Sequence, residues 1–347
     1  MQLVLDTTGL HVSKRNNCFH IKSKKQSRMI SPRRITSIAV VTDCSFTTAA
    51  LLLAVKNEIP VLFFSRTGKE NARIWSPYFG SISTLRRKQL AFYCRPEAAV
   101  WCGMLLKLRG NGQISNLDKL HREGRLSSER YFEVKEGIRK ILESVVDLGS
   151  SSNMKFAGRL MGLEGTVSRR YWEGLVTAFG KEYGFAGRSR RPAKDRFNAL
   201  LNYWFGMLYS KVEGAILSVG LDPYMGFLHA GEYQKPSLAF DMIEPFRPWA
   251  EELLIDVCLN RGLDTGYFDL EEEGCSLNRE GKREFIPLFN GWMEDRCRFL
   301  GKVKTRKNHL LAFAGELAKL IDRTIDEDDI FDILRHRERQ AEEEDSR

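Results

Sequence analysis

The spacing of apolar residues changes near residue 80 and divides the chain into two regions. Before this point, short β-rich runs alternate with turn-forming or polar clusters, a pattern that predicts strands. The runs are MQLVLD, CFHIKS, SIAVVT and IPVLFFS. Between the last two, SFTTAALLLAVKNE has the length and the Ala and Leu content of a helix, with Ser45 as its predicted N-cap. Residues 1–80 are therefore predicted to form a small β domain.

Beyond this region the pattern is helical for most of the chain. Helices are predicted at about residues 84–93, 96–109, 128–147, 154–179, 193–219, 237–261 and 307–320. The predicted fold class is thus α+β, with a small N-terminal β domain followed by a larger, mainly α-helical catalytic domain at residues 91–337. Residues 81–90 are predicted to link the two domains, and residues 338–347 to form an acidic, disordered tail.

The predicted helix at residues 154–179 has an acid on its apolar face. Its apolar stripe consists of Phe156, Leu160, Leu163, Val167 and Tyr171. Glu164 lies among these residues. A carboxylate that is buried and ionised is costly unless it is paired, protonated or bound to a metal ion. The simplest explanation is a salt bridge from Glu164 to Arg169 or Arg170, and the alternative is a metal ion.

Residues 221–248 repeat this anomaly. The segment presents His229 in a loop and then begins a helix at Ser237, a residue type that caps helices well. In this helix Asp241 and Glu244 are three residues apart, so their carboxylates project from one face, and Asp241 shares its stripe with apolar residues. Carboxylate oxygens with one imidazole suit Mg²⁺ or Mn²⁺. The two segments together predict a divalent-metal site, although a loop histidine is more often simply hydrogen-bonded.

Positive charge is concentrated in two places. The formal net charge is +9, and residues 1–90 carry fifteen Lys and Arg against four Asp and Glu. A second concentration begins at Gly187 in GRSRRPAKDRFNALLNYWFG, where the basic residues are Arg188, Arg190, Arg191, Lys194 and Arg196. An arginine-rich loop beside a metal cluster is suited to binding a phosphodiester backbone. Alternatively, these basic residues are only solvent-exposed charges that precede a buried helix and bind no DNA.

Two features narrow the protein class. The chain has no run of about eighteen apolar residues and its N-terminus lacks the features of a signal peptide, so a cytoplasmic protein is predicted. Its seven cysteines are odd in number and form no C-x-x-C pair, which argues against a disulfide framework or a structural zinc site.

Four segments together resemble the CRISPR-associated protein one family, the catalytic subunit of the spacer-acquisition integrase. They are GLEGTVSRRYW, GRSRRPAKDRFNALL, LDPYMGFLHAGEYQKPSLAFDMIEPFRP and CSLNREGKREFIPLF, and the resemblance extends over residues 1–320. It implies a β domain that mediates homodimerisation and a helical domain that holds the metal. It also implies that Glu164, His229 and Glu244 ligate Mg²⁺ or Mn²⁺, with Asp241 as a further catalytic acid beside them.

The resemblance also implies the reaction. The family joins the 3′-hydroxyl of a short DNA duplex to a phosphodiester at a CRISPR repeat, with a companion subunit, CRISPR-associated protein two. The basic loop and the β domain would hold the backbones of this double-stranded DNA. Two other functions stay open: a structure-specific metal-dependent nuclease that cleaves branched DNA, and a non-catalytic nucleic-acid-binding scaffold in which Glu164 and His229 are only structural.

Overall fold

The structure, a computed structural model, divides into two compact units, Met1–Gly80 and Ser81–Arg347. It describes residues 2–23, 26–35, 37–57, 59, 61–64, 70–74, 82–145, 153–229, 235–272 and 274–326. The first unit is mainly strands and the second mainly helices, so the predicted α+β class is confirmed. The predicted acidic tail at residues 338–347 lies outside the described residues.

The first unit contains two four-stranded sheets among the residues described. Its strands are β1 (Gln2–Leu5), β2 (Leu10–Arg15), β3 (Cys18–Lys22), β4 (Ser27–Ile30), β5 (Ser37–Val40), β6 (Cys44–Phe46), β7 (Val61–Phe64) and β8 (Glu70–Ile74). One sheet has the order β1-β5-β7-β8, in which β1, β5 and β7 are parallel and β8 is antiparallel. The other has the order β4-β3-β2-β6 and is antiparallel except for the β2–β6 pair.

Helix α1 (Thr48–Lys56) lies between β6 and β7 in the chain, where the sequence predicts a helix. Its N-cap is Thr47, whose side chain accepts a hydrogen bond from the Ala50 amide at 3.2 Å. The prediction that Ser45 caps this helix is wrong, because Ser45 lies in β6 and its hydroxyl is 2.8 Å from His11 Nδ1. The core of the unit includes Leu5, Val12, Phe19, Ile38, Ala50, Ala54 and Val61.

The second unit is built from nine helices within the described part of the chain. They are α2 (Ile82–Phe92), α3 (Pro96–Arg122), α4 (Ser128–Ser144), α5 (Asn153–Tyr183), α6 (Arg196–Ser218), α7 (Ser237–Ile243), α8 (Arg247–Asn260), α9 (Arg279–Glu294) and α10 (Arg306–Thr324). A 3-10 turn, Glu244–Phe246, joins α7 to α8. Within the described residues, no helix combines the length and the apolar content that a bilayer span requires.

Two short antiparallel hairpins complete this unit. They are β9 (Phe268–Glu271) with β10 (Gly274–Leu277), and β11 (Arg296–Phe299) with β12 (Lys302–Thr305). Neither hairpin nor α9 was predicted from the sequence. β11 and β12 have four residues each, so their alternation of charged and apolar residues is too short to be recognised within a mainly helical region.

Residues 82–92 are helical, although they overlap the predicted linker at 81–90. Gln89 of α2 is fully buried, and its amide donates to the carbonyl oxygens of Asp222 at 2.9 Å and Met225 at 2.7 Å. The Lys88 ammonium lies 2.9 Å from the Asp322 carboxylate of α10. Helix α2 is therefore part of the helical unit, and it supports the loop that leads to His229.

Helix α3 is longer than the predicted segment at 96–109 because its glycines do not end it. A Cβ atom on Gly110 would lie 2.7 Å from the Leu142 side chain, and one on Gly112 would lie 2.7 Å from Pro248. These glycines thus permit close approach of α4 and α8. Because α8 directly follows the 3-10 turn that begins at Glu244, this packing places the middle of α3 beside that turn.

Candidate metal centre

Glu164 lies on α5 at the edge of the buried stripe. Phe156, Leu160, Val167 and Tyr171 of this stripe are buried, as predicted, whereas the Glu164 side chain is 22% exposed. Its partner is Arg109 of α3, whose Nη1 donates to Glu164 Oε1. The same guanidinium donates through Nη2 to the Ser168 hydroxyl at 2.9 Å. The proposed salt bridge to Arg169 or Arg170 does not occur.

Glu244 is buried at the start of the 3-10 turn and contacts the same arginine. Its Oε2 accepts from Arg109 Nη1, and its Oε1 accepts from Arg247 Nε at 2.7 Å. One nitrogen of Arg109 therefore joins Glu164 to Glu244. Two acids that are 80 residues apart in the sequence converge on one point.

Opposite charges keep Glu244 and Arg109 ionised despite their burial. Burial alone would raise the pKa of Glu244, but the positive charges of Arg109 and Arg247 outweigh it and hold the pKa below its usual value. Burial alone would lower the pKa of Arg109, whereas Glu244 and Glu164 raise it overall. The site therefore contains two carboxylates with a guanidinium between them.

Asp241 holds His229 and its loop in place. Its Oδ1 accepts from the His229 ring Nδ1 at 2.7 Å and from the His229 amide at 3.1 Å, while its Oδ2 accepts from the amides of Phe227 at 2.6 Å and Leu228 at 3.0 Å. Both oxygens of this fully buried carboxylate are thus used. The arrangement leaves Nε2 as the ring nitrogen with a free lone pair in the neutral imidazole, as in carboxylate–histidine–metal arrangements.

The protonation of His229 depends on the same acids. Burial lowers the pKa of its imidazole, but the hydrogen bond and charge of Asp241, with the charges of Glu244 and Glu164, raise the pKa overall. His229 is therefore coupled electrostatically to both other candidate ligands. The protonated form of the ring is thus favoured more than in a histidine without these acids nearby.

Ser237 connects the His229 loop to α7, but it does not cap the helix. Pro236 stands at the N-cap position without a side-chain cap bond. The Ser237 hydroxyl accepts from the Gly226 amide at 2.9 Å and donates to the Tyr224 carbonyl oxygen at 2.7 Å. At Gly226, a Cβ atom would lie 2.5 Å from the Ser237 backbone carbon and 2.8 Å from Asp241 Oδ2, so only glycine fits there.

The donor set has the chemistry of a divalent-metal site. Glu164 and Glu244 supply carboxylate oxygens and His229 supplies an imidazole nitrogen, which suits Mg²⁺ or Mn²⁺. In the part of the chain that is described, no three His, Cys, Asp or Glu side chains are grouped closely enough to hold an ion as they stand. The Arg109 guanidinium forms ion pairs with both carboxylates. Ligation of one ion by all three residues stays a prediction.

Two buried charged residues near the site, Arg109 and Glu251, were not predicted from the sequence. Arg109 is 4% exposed on α3, and Glu251 is 1% exposed on α8. Each lies on a helix face that is otherwise buried, which is the anomaly that singled out Glu164. The same test applied to residues 96–122 and 247–260 would have found both.

The buried carboxyl group of Glu251 should make the free energy of unfolding depend on pH. Burial outweighs the opposing charges of Arg109 and Arg247 and raises the pKa of this carboxyl from 4.5 to about 7. The folded protein thus keeps this proton up to about pH 7, whereas the unfolded chain loses it near 4.5, so stability falls as pH rises between these values. The loss is about 3 kcal/mol and is complete above the folded-state pKa.

Replacing Glu251 by glutamine, which mimics the protonated form, should remove this loss. In urea unfolding at about pH 5 and about pH 8, Glu251→Gln should gain stability relative to the wild type at the higher pH. The control is Glu129→Gln, at an exposed position on α4, which should keep the wild-type dependence. Equal pH dependence of Glu251→Gln and the wild type would contradict the prediction.

The basic loop, defined as residues 187–196, is ordered by two asparagines of α6. Asn198 Oδ1 accepts from the Ser189 amide at 3.0 Å, and Asn202 Nδ2 donates to the Arg190 carbonyl oxygen at 2.8 Å. Asp195 caps α6 by accepting from the Asn198 amide at 2.7 Å. The loop is therefore held as a fixed structure at the start of the helix.

Two of the five predicted DNA-binding residues are turned inward. Arg188 donates to Asn198 Oδ1 at 2.9 Å and to Asn202 Oδ1 at 2.5 Å, and burial with the charges of Arg190 and Arg247 lowers its pKa to about 10. Arg196 donates to the Leu263 carbonyl oxygen. These two arginines support the loop.

The other three, Arg190, Arg191 and Lys194, are exposed. The basic loop is connected to the candidate metal centre through the ring of Phe205. The guanidinium of Arg247, which binds Glu244, lies 4.9 Å from the centre of this ring, and that of Arg188 lies 5.4 Å from it. Arg188, Phe205 and Arg247 therefore link the basic loop to Glu244.

Comparison with known proteins agrees with this architecture. The family model described as CRISPR associated protein Cas1 matches residues 3–291. The CRISPR-associated endonuclease Cas1 1 of Archaeoglobus fulgidus is 30% identical over 333 residues, which cover 92% of this chain and 96% of that protein.

Solved structures are also similar. A CAS1 protein from Thermotoga maritima has a TM-score of 0.73 at 20% identity, with 92% of this chain and 97% of that chain covered. A casposase bound to integration product has a TM-score of 0.64 at 25% identity, with 93% and 96% covered. The predicted family is confirmed, and the predicted class of enzyme, a nuclease or integrase, is confirmed at the level of the family. The chain belongs to the CRISPR-associated protein Cas1 family.

Proposed function

We propose that this protein joins the 3′-hydroxyl ends of short DNA duplexes to a CRISPR repeat by divalent-metal-dependent transesterification. The observation that carries the proposal is the convergence of Glu164 and Glu244 on one point, with His229 coupled to both. The similarity to a casposase bound to integration product supports joining of DNA as the reaction. Endonuclease names among the relatives support a site that acts on phosphodiesters.

The transesterification conserves the number of phosphodiester bonds. A 3′-oxygen of the donor duplex forms a bond to a target phosphorus, the bond from that phosphorus to the target 3′-oxygen breaks, and the leaving oxygen takes up a proton. Glu164, His229 and Glu244 would hold Mg²⁺ or Mn²⁺, which supplies a Lewis acid for the attacking hydroxyl and the phosphoryl oxygens. No nucleophilic side chain is required.

The chain's own residues orient this chemistry. Asp241 fixes the His229 ring through Nδ1, so that Nε2 is the ring nitrogen left for a metal ion. Arg247 binds Oε1 of Glu244, which leaves Oε2 directed to the point where Glu244 meets Glu164 at Arg109. The exposed cations Arg190, Arg191 and Lys194 would position DNA by contacting phosphates without reading the sequence.

The proposed function implies the molecules that this protein would bind. Double-stranded DNA is both donor and target, and the companion subunit, CRISPR-associated protein two, would join two copies of this chain into a complex able to hold both DNAs. The strand-rich unit at residues 1–80 would form the homodimer. A monomer in sedimentation at micromolar concentration would contradict this assignment.

Dependence on a 3′-hydroxyl separates the proposed function from its alternative. With a labelled donor duplex, a repeat-containing target, the companion subunit and Mg²⁺ or Mn²⁺, the protein should join the two DNAs. A donor that ends in a 2′,3′-dideoxynucleotide lacks the nucleophile, so it should give no joined product. Cleavage of branched DNA that needs neither the 3′-hydroxyl nor the companion subunit would instead indicate the structure-specific nuclease. If the protein neither joins nor cleaves DNA, the non-catalytic nucleic-acid-binding scaffold would be the function that remains.

A further inference from the structure

The hairpin formed by β11 and β12 carries positive charge that no acid of the described structure neutralises. We call residues 296–305 the basic hairpin; they contain four Lys and Arg and no Asp or Glu. They are Arg296, Arg298, Lys302 and Lys304, and none forms an ion pair with any residue that the structure describes. In contrast, Arg306 and Lys307, which follow the hairpin, face Glu252 at 3.9 Å and Glu294 at 3.2 Å.

The inner face of the basic hairpin is anchored to the support of the candidate metal centre. The Phe299 ring lies 5.4 Å from the Phe246 ring and 5.5 Å from the Trp249 ring, measured between centres. Phe246 ends the 3-10 turn that begins at Glu244. His309 Nε2 is 3.1 Å from the Cys297 carbonyl oxygen, which ties the hairpin to α10 as well. The hairpin is therefore held in a fixed position relative to Glu244.

The outer face presents the two arginines in a row. Arg298 pairs with Val303 and Arg296 with Thr305, and residues opposite each other in an antiparallel pair share a face. Arg296 and Arg298 are exposed, and residues two apart in a strand are separated by about 6.8 Å. Each guanidinium donates to a backbone carbonyl oxygen, of Val303 at 3.3 Å and Gly301 at 3.4 Å, which leaves further N–H groups facing outward.

The tip of the hairpin is strained and apolar. Leu300 has a φ angle of 48°, a left-handed conformation that disfavours a branched side chain, and Gly301 follows with a φ of 76°. Leu300 is also 55% exposed, so packing within the described structure does not compensate for the strain. A two-residue hairpin turn of this kind needs a positive φ at both positions, so Leu300 carries strain at a position where asparagine or glycine is the usual residue.

We propose that the basic hairpin is a second contact for the sugar–phosphate backbone of duplex DNA, separate from the basic loop. Planar guanidinium groups suit phosphate oxygens, and a two-stranded β-ribbon is narrow enough to lie against a groove of the duplex. Leu300 then contacts the sugar edge beside the phosphate that Arg298 neutralises. This inference rests on the proposed action on DNA, and it assigns the hairpin no sequence preference.

The test measures the salt dependence of duplex binding by the full-length protein. Replacing Arg296 and Arg298 together by alanine should weaken binding of a labelled duplex at least about tenfold at low salt, and should make the slope of log affinity against log salt shallower by up to about 1.8. The control replaces Arg139 and Lys319 by alanine, which removes the same charge from exposed positions already paired with Glu136 and Glu316. The control should change affinity by no more than about twofold.

The outcomes separate this proposal from the proposed function. An unchanged slope for the hairpin variant, with a shallower slope for the basic-loop variant Arg190→Ala/Arg191→Ala, overturns the hairpin contact alone. No duplex binding by the wild type overturns both. Loss of binding to the companion subunit with unchanged duplex binding shows that the hairpin contacts an acidic protein surface, and this also overturns the proposal. Leu300→Gly keeps every charge and relieves the strain, so it should weaken duplex binding while raising thermal stability.

Discussion

Replacing Glu164 by alanine should abolish strand transfer and cleavage in Mg²⁺ or Mn²⁺ while the affinity for DNA changes little. The rate should fall by at least about 10²-fold, because a side chain that holds the catalytic cation acts directly on the charge of the transition state. DNA affinity should stay within about threefold of the wild type, because the phosphate contacts remain. Arg109 keeps its contact with Glu244, so the fold should persist, which circular dichroism can verify.

The matched variant is Arg190→Ala/Arg191→Ala, which removes two exposed charges of the basic loop and no proposed ligand. Its binding should weaken, and its slope of log affinity against log salt should become shallower by up to about 0.9 for each phosphate that the variant no longer neutralises. At saturating enzyme it should still join DNA. Wild-type strand transfer by a well-folded Glu164→Ala protein would refute the ligand role of Glu164.

The acids of the site were predictable from the sequence because burial leaves a local pattern. Asp241 and Glu244 fall on a buried face, just as Glu164 falls at the edge of one. An acid in such a stripe is visible from residue spacing alone. His229 has no such pattern because it lies in a loop; it was singled out because it precedes Asp241 and Glu244 closely in the sequence, and the resemblance to the Cas1 family implied its role as a ligand.

The partner of Glu164 was not predictable in this way. Arg169 and Arg170 are near in sequence, but five and six residues along a helix turn a side chain by about 140° and 240° from the starting direction. The actual partner, Arg109, is 55 residues earlier on α3. Only tertiary packing brings it to Glu164, and this packing depends on glycines such as Gly174 of α5, where a Cβ atom would lie 3.0 Å from Leu117 of α3.

The two incorrect N-cap predictions also failed because of tertiary contacts. Ser45 and Ser237 are good capping residues by type, but each hydroxyl is already engaged by a neighbouring segment, His11 of β2 and the Gly226 loop respectively. Composition identifies the residues that are able to cap a helix. Which one does so depends on where the preceding backbone becomes helical, and that is decided by strand pairing and loop contacts.

Replacing Arg109 by methionine should strongly destabilise the protein when no divalent cation is present. The substitution keeps most of the side-chain volume but removes the charge that Glu164 and Glu244 share, and breaking a buried ion pair on one side costs about 3–5 kcal/mol. Urea unfolding in a chelating buffer, followed by tryptophan fluorescence, measures the effect. Five of the six tryptophans lie in the helical unit, so the signal reports this unit.

Two further variants identify the cause. Arg130→Met removes a surface arginine paired with Glu133 and should cost at most about 1 kcal/mol. The double variant Arg109→Met/Glu164→Gln should be less destabilised than the sum of its single changes, because it leaves one fewer unpaired acid. If the carboxylates also hold a divalent ion, added Mg²⁺ should stabilise Arg109→Met more than the wild type, because the cation replaces the missing guanidinium. Unfolding of Arg109→Met within about 1 kcal/mol of the wild type would contradict the prediction that this arginine keeps the two acids together.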